Sequence, residues 1–176
     1  MAVNNIKNII FDLGGVILNI DYHKTANAFK ELGLTNFDEL YSQFQQNNLF
    51  NDLETGNILP QEFINTIKLV LPEKTPTTEI INAWNAMLLD LPRQRIDLLS
   101  RVGRNYRIFL LSNTNKIHYE AYMAYFEKEY QLSFNDIFEK AFYSHQIGLR
   151  KPNIDSFEFV LSNSNLDKKE TLFILP

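Results

Sequence analysis

From Pro92 to its end the chain keeps one rhythm, in which short apolar runs alternate with longer amphipathic stretches. "RIFLLS", "KAFYS" and "TLFI" read as strands, and "RQRIDLLSRV", "KIHYEAYMAYFEKEY" and "NIDSFEFVLSN" as helices. Strands separated by helices cannot pair as hairpins; they lie parallel in a sheet whose two faces are covered. A fourth apolar run, Ile6 to Phe11, is continuous, β-branched and aromatic, and stops before Gly14 and Gly15. The expected fold is therefore α/β, a doubly wound, Rossmann-like parallel sheet.

Between these parts the pattern is helical from Asp21 to about Leu89. Asp21 can cap "YHKTANAFKEL" and Gly33 can end it, and Phe37, Leu40, Tyr41 and Phe44 recur at helical spacing. Pro60 opens "PQEFINTIKLVL", and "TTEIINAWNAMLL" makes a further helix through Ile80, Ile81, Trp84 and Leu88. The expected organisation is an α/β core of residues 1–18 and 92–176 and an inserted all-helical cap of residues 19–91, roughly 70 residues where an ordinary loop has a dozen or fewer. The insertion leaves the carboxyl end of the first strand. Ligands of open α/β sheets bind at that end, so the cap is placed as a lid.

The 176 residues suit one compact domain with an insertion, and a net charge of −4 supplies no basic field for nucleic acid or an anionic membrane. Neither is expected as a partner. There is no cysteine for a disulfide or thiolate site, and no apolar run nears the ~18 residues of a membrane span. A soluble, cytoplasmic protein is expected, its oligomeric state left open.

Three of the four strand ends are polar: Asp12 after the first, Ser112-Asn113-Thr114-Asn115 after the second, and residues 144–151, ending in Lys151, after the third. A carboxylate, a hydroxyl with backbone N–H groups at a strand-to-helix turn, and a lysine together suit an anionic, phosphoryl-bearing substrate. Each has a plainer reading too. Asp12 alone fits a turn, Ser112-Asn113 fits the cap of the helix beginning near Asn115, and Lys151 before Pro152 fits a solvated loop. His23, His118 and His145 lack metal-ligand spacing, Glu54 fits a substrate contact or a turn equally, and the stripe Tyr119, Tyr122, Met123, Phe126 reads as core.

"FDLGGVIL", "IFLLSNTN" and "GLRKPNIDSF", in this order at these strand ends, resemble the first three motifs of the haloacid dehalogenase-like hydrolase superfamily. Gly14 and the stretch "NDLETGNILPQEF" resemble its branch of sugar phosphatases with a helical cap, typified by α-glucose-1-phosphatase. The resemblance implies a magnesium-dependent phosphomonoester hydrolase acting on a small phosphorylated metabolite such as a sugar phosphate. Asp12 would be the nucleophile forming an aspartyl-phosphate, and Lys151 its cationic partner. Ser112, Asn113 and Gly15 would hold phosphate, Asp12 and the Gly14 carbonyl would hold Mg²⁺, and Asn115 is a weaker candidate.

Two departures go with it. Gly14 stands where the phosphatases usually carry a second aspartate as general acid/base, help worth roughly 10²–10⁴-fold. Leu175 and Pro176 stand where magnesium-binding aspartates should follow the last strand, so the metal site and the C-terminal part of the core are expected to be incomplete. An inactive remnant of the fold, or a 2-haloacid dehalogenase using the same aspartate, are the alternatives.

Overall fold

A computed structural model describes residues 5–176. The chain runs β1 (Asn8–Phe11), α1 (Tyr22–Glu31), α2 (Phe37–Gln46), α3 (Leu49–Glu54), α4 (Pro60–Lys68), α5 (Thr77–Asn85), α6 (Arg93–Val102), β2 (Arg107–Ser112), α7 (Lys116–Tyr130), β3 (Lys140–Tyr143), α8 (Ser144–Ile147), α9 (Ile154–Ser164) and β4 (Thr171–Ile174). The four strands form one parallel sheet in the order β3-β2-β1-β4. The chain thus builds away from β1 on one side and returns to its other side for β4.

All four residues of β1 are buried because both faces of the sheet are covered. Ile9, Phe11, Ile108 and Leu110 share one cluster with Ile96 and Leu99 of α6 and with Tyr122 and Phe126 of α7. Their strand neighbours Ile10, Phe109 and Leu111 point the other way, into a cluster with Phe142 and Val160 of α9. A continuous apolar run in the sequence therefore serves two separate cores, one per side of the pleat. The stripe on α7 is core, as expected.

Helices α1 to α5 pack around a third cluster that includes Phe29, Leu53, Phe63, Ile80 and Trp84. Local signals start and stop them. Asp21 Oδ1 accepts from the His23 N–H at 3.0 Å, Gly33 closes α1 at φ +98°, and Glu62 accepts from the Leu59 N–H at 2.7 Å beside Pro60. Helix α3 had no separate signal, lying inside a stretch read only as helical throughout.

One expectation fails at the end of α5. The helix stops at Asn85 rather than running through Leu88, because Leu88 is taken into an antiparallel bridge with Ile20. Asn19 N–H donates to the Asp90 carbonyl, Leu89 N–H to that of Asn19 and Asp21 N–H to that of Met87, each at 2.9 Å. The two crossings between the sheet and the helical block thus form a paired ribbon, which satisfies backbone groups that would otherwise be stranded between two packed bodies. Periodicity cannot report a partner nearly 70 residues away.

Phe109 sits at 0% exposure in the central strand β2. Phe109→Ala should cost about 3–5 kcal/mol, read as a lower urea midpoint at unchanged slope.

Candidate active site

The loop after β1 is built to hold a carboxylate at its rim. Leu13, Ile17 and Leu18 are buried, and the N–H groups of Ile17 and Leu18 both donate to the Leu13 carbonyl, at 2.8 and 2.9 Å. Gly15 N–H donates to the Leu18 carbonyl at 2.9 Å, with Gly15 at φ +76°, a conformation that favours glycine. A Cβ on Gly15 would stand 3.0 Å from the Pro176 side chain. Asp12, just before this turn, accepts from the Leu13 N–H at Oδ1, 2.7 Å away.

Lys151 meets the same oxygen. Its Nζ lies 2.6 Å from Asp12 Oδ1 and donates to the Leu111 carbonyl at 2.9 Å. The lysine side chain is 9% exposed and that of Asp12 15%, so the pair is largely withdrawn from solvent. Burial pulls the Lys151 ammonium below the ordinary lysine value of 10.5, and the Asp12 charge opposes that pull. A carboxylate within hydrogen-bond reach keeps the buried cation paired.

The Asn113 side chain fixes the Lys151 backbone from both sides. Its Oδ1 accepts from the Lys151 N–H and its Nδ2 donates to the Lys151 carbonyl, each at 2.8 Å. Next to it, Ser144 Oγ accepts from the Thr114 N–H and donates to the Thr114 carbonyl, both at 2.9 Å. The turns after β2 and β3 are thereby locked together through two side chains. The Ser112 hydroxyl, by contrast, reaches the Asn113 carbonyl alone among the described residues, at 3.5 Å, a length at which little bonding is left.

Capping of α7 falls to a different residue than expected. Asn115 Oδ1, not Ser112 or Asn113, accepts from the His118 N–H at 3.0 Å, and Asn115 is outside the cavity wall. An Asx cap needs its side chain just before the first turn, which places the role on Asn115.

Asp12, Gly14, Gly15, Ser112, Asn113 and Lys151 all line one cavity of about 810 Å³ beneath the helical block. The block supplies the opposite wall, with Tyr22, Tyr41, Phe50, Trp84 and Glu54 among its residues. Burial raises the Glu54 pKa and Arg150 opposes the rise. Tyr22 is raised by burial, then by the charges of Glu54 and Asp12, so it lies in the field of both carboxylates. His118, buried, is stacked on Trp84 at 5.1 Å with 12° between planes, and its Nδ1 is 2.8 Å from Asn85 Oδ1. Burial drops its pKa to about 3, so it stays a neutral hydrogen-bonding group. His23 also lines the cavity, while His145 is partly buried beside Tyr119.

No family model matches the chain. A HAD family enzyme of Bacteroides thetaiotaomicron superposes with a TM-score of 0.90 at 34% identity, covering 96% of this chain and 83% of that one. The D-ribitol-5-phosphate phosphatase of the same organism is 32% identical over 170 residues, 96% of this chain and 82% of that protein. The chain belongs to the haloacid dehalogenase-like (HAD) hydrolase family. A HAD-like hydrolase of Porphyromonas gingivalis agrees, with a TM-score of 0.85 at 29% identity over 96% of this chain and 81% of that one.

The Bacteroides HAD enzyme has been solved with magnesium and inorganic phosphate. Among the described residues of this HAD hydrolase, no group of three or more His, Cys, Asp or Glu could hold a metal. Magnesium, however, is commonly held by one or two carboxylates with substrate phosphate and water completing the shell. Asp12 offers a carboxylate, and the turn's backbone hydrogen bonds run to the Leu13 and Leu18 carbonyls rather than to that of Gly14. A carboxylate and a backbone carbonyl are hard oxygen donors of the kind magnesium takes.

Two contacts at this site are not readable from the sequence. Arg150 Nη2 meets Glu54 Oε2 of the helical block at 2.9 Å, and the Asn113 side chain clamps Lys151. "GLRK" signals basic residues but carries no sign of a partner 96 positions away.

Because the Asp12 charge holds the Lys151 pKa up against burial, Asp12→Asn should lower it further. Titration of the Lys151 ammonium by ¹⁵N NMR should find a midpoint below 10.5 in the native chain and a lower one in the variant.

Proposed function

We propose that this HAD hydrolase is a magnesium-dependent phosphomonoesterase for a small phosphorylated metabolite, a sugar or polyol phosphate, working through an aspartyl-phosphate on Asp12. The observation that carries it is the buried Asp12–Lys151 pair at 2.6 Å, opening into the same cavity as Ser112, Asn113, Gly14 and Gly15. An anion entering there meets a cation and a hydroxyl beside the carboxylate that would attack it. The similarity to the D-ribitol-5-phosphate phosphatase supports the phosphoryl substrate.

Asp12 Oδ1 is held by the Leu13 N–H and the Lys151 ammonium, which leaves Oδ2 to attack. Attack of Oδ2 on phosphorus forms the acyl-phosphate bond as the ester P–O bond breaks, and the departing alkoxide takes a proton from water. Water then attacks the same phosphorus, releasing inorganic phosphate and restoring the carboxylate. Lys151 and Ser112 would hold the phosphate oxygens through both steps, and the Asn113 clamp would keep Lys151 in place. Magnesium, held by Asp12, the Gly14 carbonyl and the phosphate, would supply charge neutralisation. The aromatic wall with Glu54 would enclose the leaving group beneath the helical block, which we take to be a cap over residues 19–91.

Phosphate release from a panel of sugar and polyol phosphates should fall by on the order of 10³-fold or more in Asp12→Asn. Chelation with EDTA should abolish it and added magnesium restore it; release that persists equally in the variant would overturn the assignment. Because Gly14 supplies no proton to the leaving oxygen, kcat should rise with leaving-group acidity, aryl phosphates exceeding alkyl ones by about 10-fold or more.

A further inference from the structure

The helical block touches the sheet side of the cavity at two places. On one side Trp84 stacks on His118, and Ile117 of α7 joins the helical block's own cluster. On the other, the end of α3 lies against the segment leading into Lys151. There Glu54 Oε2 is 2.9 Å from Arg150 Nη2, and Arg150 Nη1 donates to Asn51 Oδ1 at 3.4 Å. The next turn comes closer still. Gly56, at φ +72°, passes the His145 carbonyl so tightly that a Cβ would stand 2.4 Å from its oxygen.

The ion pair is charge-matched without being aligned, since neither Glu54 Oε2 nor Arg150 Nε has a hydrogen-bond partner among the described residues. With side chains 38% and 27% exposed, such a pair adds little to stability. Its place in the chain matters more. Arg150 is joined by one peptide bond to Lys151, whose backbone is clamped by Asn113 and whose ammonium meets Asp12.

We propose that Glu54 and Arg150 are positioning residues: their ion pair ties α3 to the 144–151 segment, so that seating the helical block over the cavity and presenting the Lys151 ammonium to the phosphoryl group are one event. The proposal rests on the phosphatase reading for its catalytic consequence alone. The physical tie between the two bodies is independent of it.

The test is a double-mutant cycle of Glu54→Gln, Arg150→Gln and the pair, with magnesium and an aryl phosphate as substrate, alongside amide hydrogen exchange over residues 51–57. Residues acting as a unit are non-additive, so each single variant should lose about 10-fold in kcat with KM changed less than about 3-fold, and the pair should lose no more than either single. Exchange over 51–57 should quicken by about 10-fold in all three while exchange in β1 and β2 stays native, which separates loss of the tie from loss of the fold. Additive losses in kcat, a change confined to KM, or unaltered exchange over 51–57 would each overturn the proposal, the second by making Glu54 a contact to substrate. Gly56→Ala, which presses on the same seat without touching a charge, should quicken exchange over 51–57 as well. The exchange arm needs no turnover. A chain that released no phosphate would sink the phosphatase reading and leave the tie to be judged on exchange.

Discussion

Burial of a parallel sheet on both faces is the constraint from which the rest follows. Parallel strands need crossovers, and here the crossovers are helices laid on either side, α6 and α7 on one face and α9 on the other. Every strand then ends at the same edge. The turns after β1, β2 and β3 are thereby gathered around one opening although Asp12, Ser112 and Lys151 are far apart in the chain. The order β3-β2-β1-β4 places the reversal of the winding beside β1, so its carboxyl end faces a crevice rather than a helix.

Polar side chains inside that edge fasten loops to one another. Asn113 satisfies both backbone groups of Lys151, and Ser144 both of Thr114, so four buried or half-buried main-chain groups find partners without water. Such locks fix the backbone at Lys151 and Thr114 and join the turns after β2 and β3.

The helical block is attached by a different logic. Its own aromatic cluster holds it together, and a short backbone ribbon at residues 19–21 and 87–90 joins it to the sheet. What brings it onto the site is a handful of side chains: Trp84 over His118 on one side, Glu54 with Arg150 and the Gly56 turn on the other. The first of these contacts is buried and the ion pair of the second is partly exposed.

Much of this was legible in the residues. Apolar runs such as "RIFLLS" and "TLFI" marked strands because a strand buried on both faces has nothing polar to show, and Asp21, Gly33 and Pro60 marked helix ends because capping chemistry is local. Asp12 and Ser112 stood out because polar residues at the ends of such strands must lie at one edge of a parallel sheet, and Lys151 through the resemblance of "GLRKPNIDSF" to a family motif. The early end of α5, the cap on α7 at Asn115 in place of Ser112-Asn113, the Asn113 clamp and the Glu54–Arg150 tie were not legible. Each depends on a neighbour brought close only by packing, and α5 yields its last turn because Ile20, distant in sequence, offers Leu88 a backbone partner. By itself the sequence determined the elements, their order and the residues at the strand ends, since periodicity and capping act within a few positions. The tertiary structure alone decided which of those residues touch, because hydrogen bonds and ion pairs between loops obey distance in space and carry no period along the chain.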